Sequence, residues 1–143
     1  MNLDQINDQK IDPVDESIYW KDVNGKYLGC NAHMAKMAGI PRNKIIGSTD
    51  YFLSWKDQAN KLREIDSHVV QTRKRIEMEE SVKIAEGIIK AYISSKSPLY
   101  NNNGEVIGII GISIDISHYK QFEREFEKTE IALNDNINVI TRC

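Results

Sequence analysis

Cysteine is scarce: Cys30 and Cys143 are the only two in 143 residues, too far apart for a CxxC or zinc spacing. A disulfide scaffold is excluded, and free thiols in a reducing, cytoplasmic setting are expected. An excess of either charge is also lacking. Lys plus Arg number 19 and Asp plus Glu 21, a formal net charge of −2. A surface built for a phosphate backbone ordinarily carries a basic excess, so nucleic acid is not expected as a partner. No apolar run approaches the roughly 18 residues that cross a bilayer. The first 16 residues are acidic and polar, the opposite of a secretory signal. Catalytic signatures are missing too: there is no GxSxG, no HExxH, no P-loop and no telling Cys/His pair. An enzyme is therefore not expected in this segment. No H-E-[IL]-R-type phosphoacceptor box is found, so a kinase, if attached, lies past Cys143. That residue reads as a boundary cut from a longer chain.

What is present describes one folded domain. Hydrophobic residues make up 41% and charged residues 28%, which excludes disorder of the whole chain. A chain of this length buries roughly two-thirds of its unfolded surface and needs no metal or disulfide staple. Residues 1–16 read as a loose or weakly helical acidic lead-in. From Ser17, SIYWKDVNGKYLGC gives two short β-prone runs joined at Asn24-Gly25, a tight-hairpin signal. Asn31 stands as an N-cap before AHMAKMAG, with Met34, Met37 and Ala38 on one face and Gly39 as the stop. A short turn carries Tyr51, Phe52 and Trp55. A longer helix is predicted over 56–74, with Leu62, Ile65, Val69 and Val70 as its buried stripe and Ala59 and His68 beside it.

The remainder alternates with the period of a strand. Ile76, Met78, Glu80, Val82 and Ile84 face one way and Glu77, Glu79, Ser81 and Lys83 the other. The glutamates of this run are expected on a solvated edge. Further strands are predicted over 88–99 and 106–114, joined at Asn103-Gly104. The fold class is α+β, with a five-stranded antiparallel sheet flanked by short helices. The last stretch is helical. Counting sevens from Tyr119 reaches Phe126, Leu133 and Ile140, while the companion positions hold Phe122, Thr129 and Asn136. One seam is apolar and the other polar, which fits either an imperfect coiled coil or a helix laid back on its own domain.

Three segments carry a family likeness: YWKDVNGKYLGCNAHMAKMAG at 19–39, IIGSTDYFL at 45–53 and KSPLYNNNGEVIGIIGISIDIS at 96–117. Together they resemble a PAS domain of the bacterial sensory-box type over roughly 14–120. The resemblance implies a PAS fold over 17–117, an acidic lead-in over 1–16 and a signalling helix over 118–143. It implies a cavity lined from the helical side by Met34, Met37, Phe52, Trp55 and Val69. From the sheet, Tyr92, Ser94, Ile109, Gly111 and Ser113 would face it. Such a lining suits a flat apolar ligand with a few polar handles, or else simply fills a tight core.

The ligand is unknown by this reading. Covalent flavin photochemistry needs a cysteine in a helical N-C-R-F-L-Q-type run, and Cys30 lies in a strand. Haem would need an axial ligand such as His68, although a lone helical histidine is ordinarily no ligand. His33 and His118 share no metal spacing with it. The resemblance also makes Asp115, Ile116 and Ser117 the link from sheet to outgoing helix, with Asp115 seeking a basic partner in a neighbouring loop. Tyr119, Phe122, Phe126 and Leu133 would form a homodimer seam. The function implied is a cytoplasmic sensory and dimerisation module feeding a C-terminal output domain, foremost a two-component histidine kinase. The alternative is a haem- or flavin-bearing redox or gas sensor.

Overall fold

The computed structural model describes residues 2–142, without the side chains of Asp4 and of residues 135–142. The chain opens with a 3-10 turn (Leu3–Gln5) and a single helical turn, α1 (Asp8–Ile11). The hairpin follows as β1 (Ser17–Asp22) and β2 (Tyr27–Cys30). Its turn works as the Asn-Gly pair demands. Gly25 takes φ 85°, and Asp22 Oδ1 accepts from the amides of Asn24 and Lys26 at 2.9 Å each. Asn31 caps α2 (Ala32–Ala38) through a 3.0 Å bond from the Met34 amide to its Oδ1. Then come α3 (Arg42–Ile45), 3-10 turns at Asp50–Phe52 and Lys56–Gln58, and α4 (Ala59–Thr72). Three long strands, β3 (Ile76–Lys83), β4 (Ile89–Tyr100) and β5 (Val106–Asp115), lead into the terminal helix α5 (Ser117–Arg142).

The five strands form one sheet in the order β2-β1-β5-β4-β3, every neighbouring pair antiparallel. The expected α+β architecture is therefore present. Pairing register decides which side chains share the helix-covered face. Lys96 stands opposite Gly111, Gly111 opposite Tyr19, and Tyr19 opposite Cys30. Lys21 pairs with Ile109 and with Tyr27 in the same way. A glycine is needed at 111: a Cβ there would sit 2.2 Å from Cζ of the Tyr19 ring.

Each face of the sheet carries its own apolar cluster. On the helical side Tyr19, Tyr27, Cys30, Met34, Ile45, Leu53, Trp55, Val69 and Ile109 are buried together. On the other side Ile18, Trp20, Leu99 and Ile110 are covered by Leu3, Ile6, Ile11 and Val14. The lead-in is thus weakly helical but not loose, because its apolar residues close the outer face of the sheet. Helix α4 also departs from expectation. It begins at Ala59, and the fully buried positions are Ala59, Asp66 and Val69, with Leu62, Ile65 and Val70 only half-buried. An aspartate occupies the centre of the buried stripe.

Candidate functional site

Four charged side chains are fully buried between sheet and helices. Strand parity turns Lys21 inward beside Tyr19, and Lys96 inward beside Ser94. Asp50 opens the first 3-10 turn and Asp66 projects from α4; all four are at most 2% exposed. Charges at such depth are tolerated only when paired. Lys21 Nζ lies 2.8 Å from Asp50 Oδ2 and 2.6 Å from Asp66 Oδ2, and Lys96 Nζ lies 3.3 Å from Asp66 Oδ1. Asp50 Oδ1 also accepts from the Tyr27 hydroxyl (2.5 Å) and from Trp55 Nε1 (2.8 Å). Burial alone would raise the Asp50 carboxyl, but Lys21, Tyr27 and Trp55 together outweigh it and hold the group below its ordinary range. Burial likewise disfavours charged Lys21, yet Asp50 and Asp66 more than offset it and raise its pKa. The Lys21 ammonium further lies 5.6 Å and 5.2 Å from the centroids of the Tyr19 and Tyr27 rings.

Three of the four charged side chains, Lys21, Asp50 and Lys96, line a chamber of about 30 Å³ together with Tyr19, Tyr27, Met34, Met37, Trp55, Leu62, Glu80, Val82 and Ser113. That is space for about two waters, far below the roughly 300 Å³ of a usual ligand pocket. A haem or a flavin does not fit in it. Of the residues expected to line a cavity, Met34, Met37, Trp55 and Ser113 do so. Val69 and Ile109 belong to the surrounding core. Tyr92 is buried in β4 and its hydroxyl pKa is pushed up to about 12, first by burial and then by Asp115. Ser94 Oγ lies 2.9 Å from Ser113 Oγ.

Phe52 is a correction. It is 64% exposed, because the turn Asp50–Phe52 aims Asp50 at the lysine and sends the ring outward. Glu80 is another: Glu77 and Glu79 face solvent, whereas Glu80 faces the chamber. The lining is apolar and aromatic as expected, but four charged side chains, Lys21, Asp50, Glu80 and Lys96, are set into it. Lys21, Asp50, Asp66 and Lys96 were not among the expected site residues, although period-two and helical spacing place them inward.

Other candidates do not join the site. His68 is exposed on α4, and His33 Nδ1 lies 2.9 Å from Ser17 Oγ. Among the described residues no group of three or more His, Cys, Asp or Glu is arranged to hold a metal. Cys30 is buried and its thiol pKa is pushed up to about 11, chiefly by burial, which makes it a poor nucleophile.

At the far end of the sheet, β5 passes into α5 with one residue between them. Asp115 Oδ1 accepts from the Ser117 amide at 2.9 Å, and Asp115 Oδ2 meets Lys90 Nζ at 3.3 Å. The basic partner of Asp115 therefore lies on β4 rather than in a loop. Ser117 Oγ accepts from the Ala91 amide (3.1 Å), and the Ile116 amide donates to Ala91 O (2.9 Å). Burial acts to raise the Asp115 carboxyl, and Ser117 and Lys90 together hold it low instead. One turn further, Lys120 Nζ reaches Glu79 on β3 at 2.9 Å. Beyond that the helix is bare: Tyr119, Phe122, Phe126, Ile131 and Leu133 are all more than half exposed. The side chain of Ile140 and all of Cys143 lie outside the described residues. Among the described residues no helix is long and apolar enough to cross a membrane.

Comparison with known proteins bears on this arrangement. A diguanylate cyclase of Vibrio cholerae is 31% identical over 102 residues, covering 70% of this chain and 32% of that protein. The methanogenesis regulatory histidine kinase FilI of Methanothrix harundinacea is 27% identical over 124 residues, covering 87% of this chain and 14% of that protein. The chain thus spans about a third and about a seventh of these curated relatives. Among solved structures, the VqmA–ligand–DNA complex of Vibrio cholerae shares the fold, with a TM-score of 0.68 at 21% identity over 71% of this chain and 46% of that one. A family model for the PAS fold matches residues 11–121, from the end of the lead-in to the first turns of α5. A match that runs across the whole sheet and its covering helices makes this protein a member of the PAS fold family.

Proposed function

We propose that this chain is a cytoplasmic sensory and dimerisation module, with its sensor in 17–117, its lead-in in 1–16 and its output helix in 118–143. A small ligand reaching the chamber perturbs the buried Lys/Asp cluster, and the change leaves the sheet through Asp115, Ile116 and Ser117. Helix α5 then shifts one protomer's output domain against the other's. The observation that carries this reading is the junction itself. Asp115 and Ser117 bind both β4 and the first turn of α5, so the strands and the helix are held to move together. The output domain is a histidine kinase, a reading supported by the similarity to FilI. A second output, cyclic dinucleotide synthesis, is supported by the 31% identity to a diguanylate cyclase.

The test is Asp115→Ala in the full-length parent chain, with autophosphorylation and cyclase rates both measured. Output is expected to change about fivefold or more, a coupling of ordinary allosteric size. Melting of the 1–143 segment should move little, because Asp115 sits at the margin of the sheet. An output equal to wild type overturns the relay.

A further inference from the structure

We propose that the seam between α4 and β3 leads into a binding site for a small primary-ammonium cation, with Glu80 as the anion that recognises it. The inference rests on the sensory reading above and names the ligand class of the same chamber. Four formal charges line that space, Lys21 and Lys96 as cations and Asp50 and Glu80 as anions, and Asp66, outside the lining, pairs with both lysines. Lys21, Lys96, Asp50 and Asp66 are thus paired with one another. The Glu80 carboxylate has no ion-pair or hydrogen-bond partner among the described residues, which leaves the five charges one cation short. The aromatic walls already hold an ammonium, that of Lys21, over the Tyr19 and Tyr27 rings. An anion would meet an excess of negative charge and two lysines already engaged. A neutral apolar ligand would leave Glu80 desolvated and unpaired, which is costly.

The way in is also visible. Leu62 of α4 and Glu80 of β3 bound the inner chamber and also an outer groove of about 300 Å³. They form the partition between the two spaces. Lys61 lies along the outer groove and ion-pairs with neither carboxylate of the β3 rim. Helix α4 packs chiefly on β4 and β5, and β3 is an edge strand with a ladder on one side only, its other edge held by Gln58 Nε2 on Ser81 O (2.7 Å) and Ser54 Oγ on Lys83 O (2.9 Å). An outward movement of β3 at residue 80 therefore joins groove and chamber once the Gln58–Ser81 bond yields, without breaking a second strand ladder. The joined space holds a ligand of several heavy atoms, its ammonium at Glu80 and its alkyl part against Leu62 and Val82.

The probe is n-butylammonium, titrated into the isotopically labelled 143-residue chain at pH 7 and constant ionic strength, with amide shifts as the readout. n-Butanol and butyrate serve as neutral and anionic isosteres. Saturable shifts centred on Glu80 and Leu62 are expected with butylammonium, and binding weaker by about tenfold or more with either isostere. Glu80→Gln should weaken butylammonium by about tenfold, while Glu80→Asp, which keeps the charge, should stay within a few-fold of wild type. The dispersion of each variant's spectrum verifies its fold. No saturable shift from butylammonium, equal binding of butyrate or butanol, or equal losses in the Gln and Asp variants would each overturn the proposal. The Asp115 relay is read from the parent chain's output, so failure of the amine site with an intact Asp115 effect removes the ligand class alone.

Discussion

Lys21 is the residue on which the interior turns. Its ammonium is 1% exposed and touches two carboxylates and two aromatic rings. Removing Asp50 leaves Asp66 shared between two buried lysines and strands the Tyr27 hydroxyl and Trp55 Nε1, so Asp50→Ala should cost about 3–5 kcal/mol in urea denaturation. The pH dependence follows from the shift directions. Asp50 is held below its ordinary 3.8, so its stabilisation is present above about that pH and is lost as pH falls through the folded value. Lys21 is held above its ordinary 10.5, so its share is complete below that pH and is lost as pH rises through its own folded value. Denaturation midpoints are therefore expected to plateau between those limits and to fall on both sides, with the acid arm flattened in Asp50→Ala. These four charges were the least legible part of the sequence. Strand parity points Lys21 and Lys96 inward, and spacing puts Asp66 between Leu62 and Val69 on the buried stripe. Residue type alone argues for the surface, and only the pairing of partners about 30 positions apart resolves the conflict, as the Lys21–Asp50 and Lys96–Asp66 pairs do. Phe52 departs in the opposite direction: an aromatic side chain argues for burial, but within the turn Asp50–Phe52 only Asp50 is buried.

At the scale of elements, local structure is legible in the sequence where one short motif decides the outcome. Asn24-Gly25 makes the hairpin, Asn31 caps α2, and the alternation through β3 separates Glu79 from Glu80. What the motifs did not reveal is how much Asn31 does. Its Oδ1 accepts from the Ile18 and Met34 amides, and its Nδ2 donates to the carbonyls of Ile11 and Glu16. One side chain thus joins the lead-in, β1 and α2, helped by Asp12, which accepts from the Ala32 amide and from Arg42. A helix cap alone is worth about 1 kcal/mol. Asn31→Ala strands several buried backbone groups as well, so a loss of about 2–4 kcal/mol is expected. Hydrogen exchange should show residues 1–16 and the Ile18 amide losing protection before the rest of the sheet. If those amides open only with global unfolding, the lead-in is held by its apolar contacts instead.

For the whole molecule, the two faces of the sheet are closed by different means, one by helices and one by the lead-in. The bare surface is on α5, where Phe122 and Phe126 are 65% and 62% exposed. Exposed aromatics in a row at heptad spacing call for a covering partner, and a second copy supplies the same row. Light scattering is expected to give a dimer for the chain and a monomer for the double variant Phe122→Glu, Phe126→Glu, with little change in melting temperature. A monomeric parent at high concentration would count against the seam. The direct passage from β5 to α5 has a geometric consequence for that seam. With one residue between strand and helix, and Ser117 fastened to Ala91, the helix has no slack in which to choose its rotation. The sheet fixes its phase. One residue inserted after Ser117 would turn everything downstream by about 100°, the aromatic row included, whereas seven would bring it nearly back. The junction acts as a clock setting, and whatever follows α5 inherits its orientation.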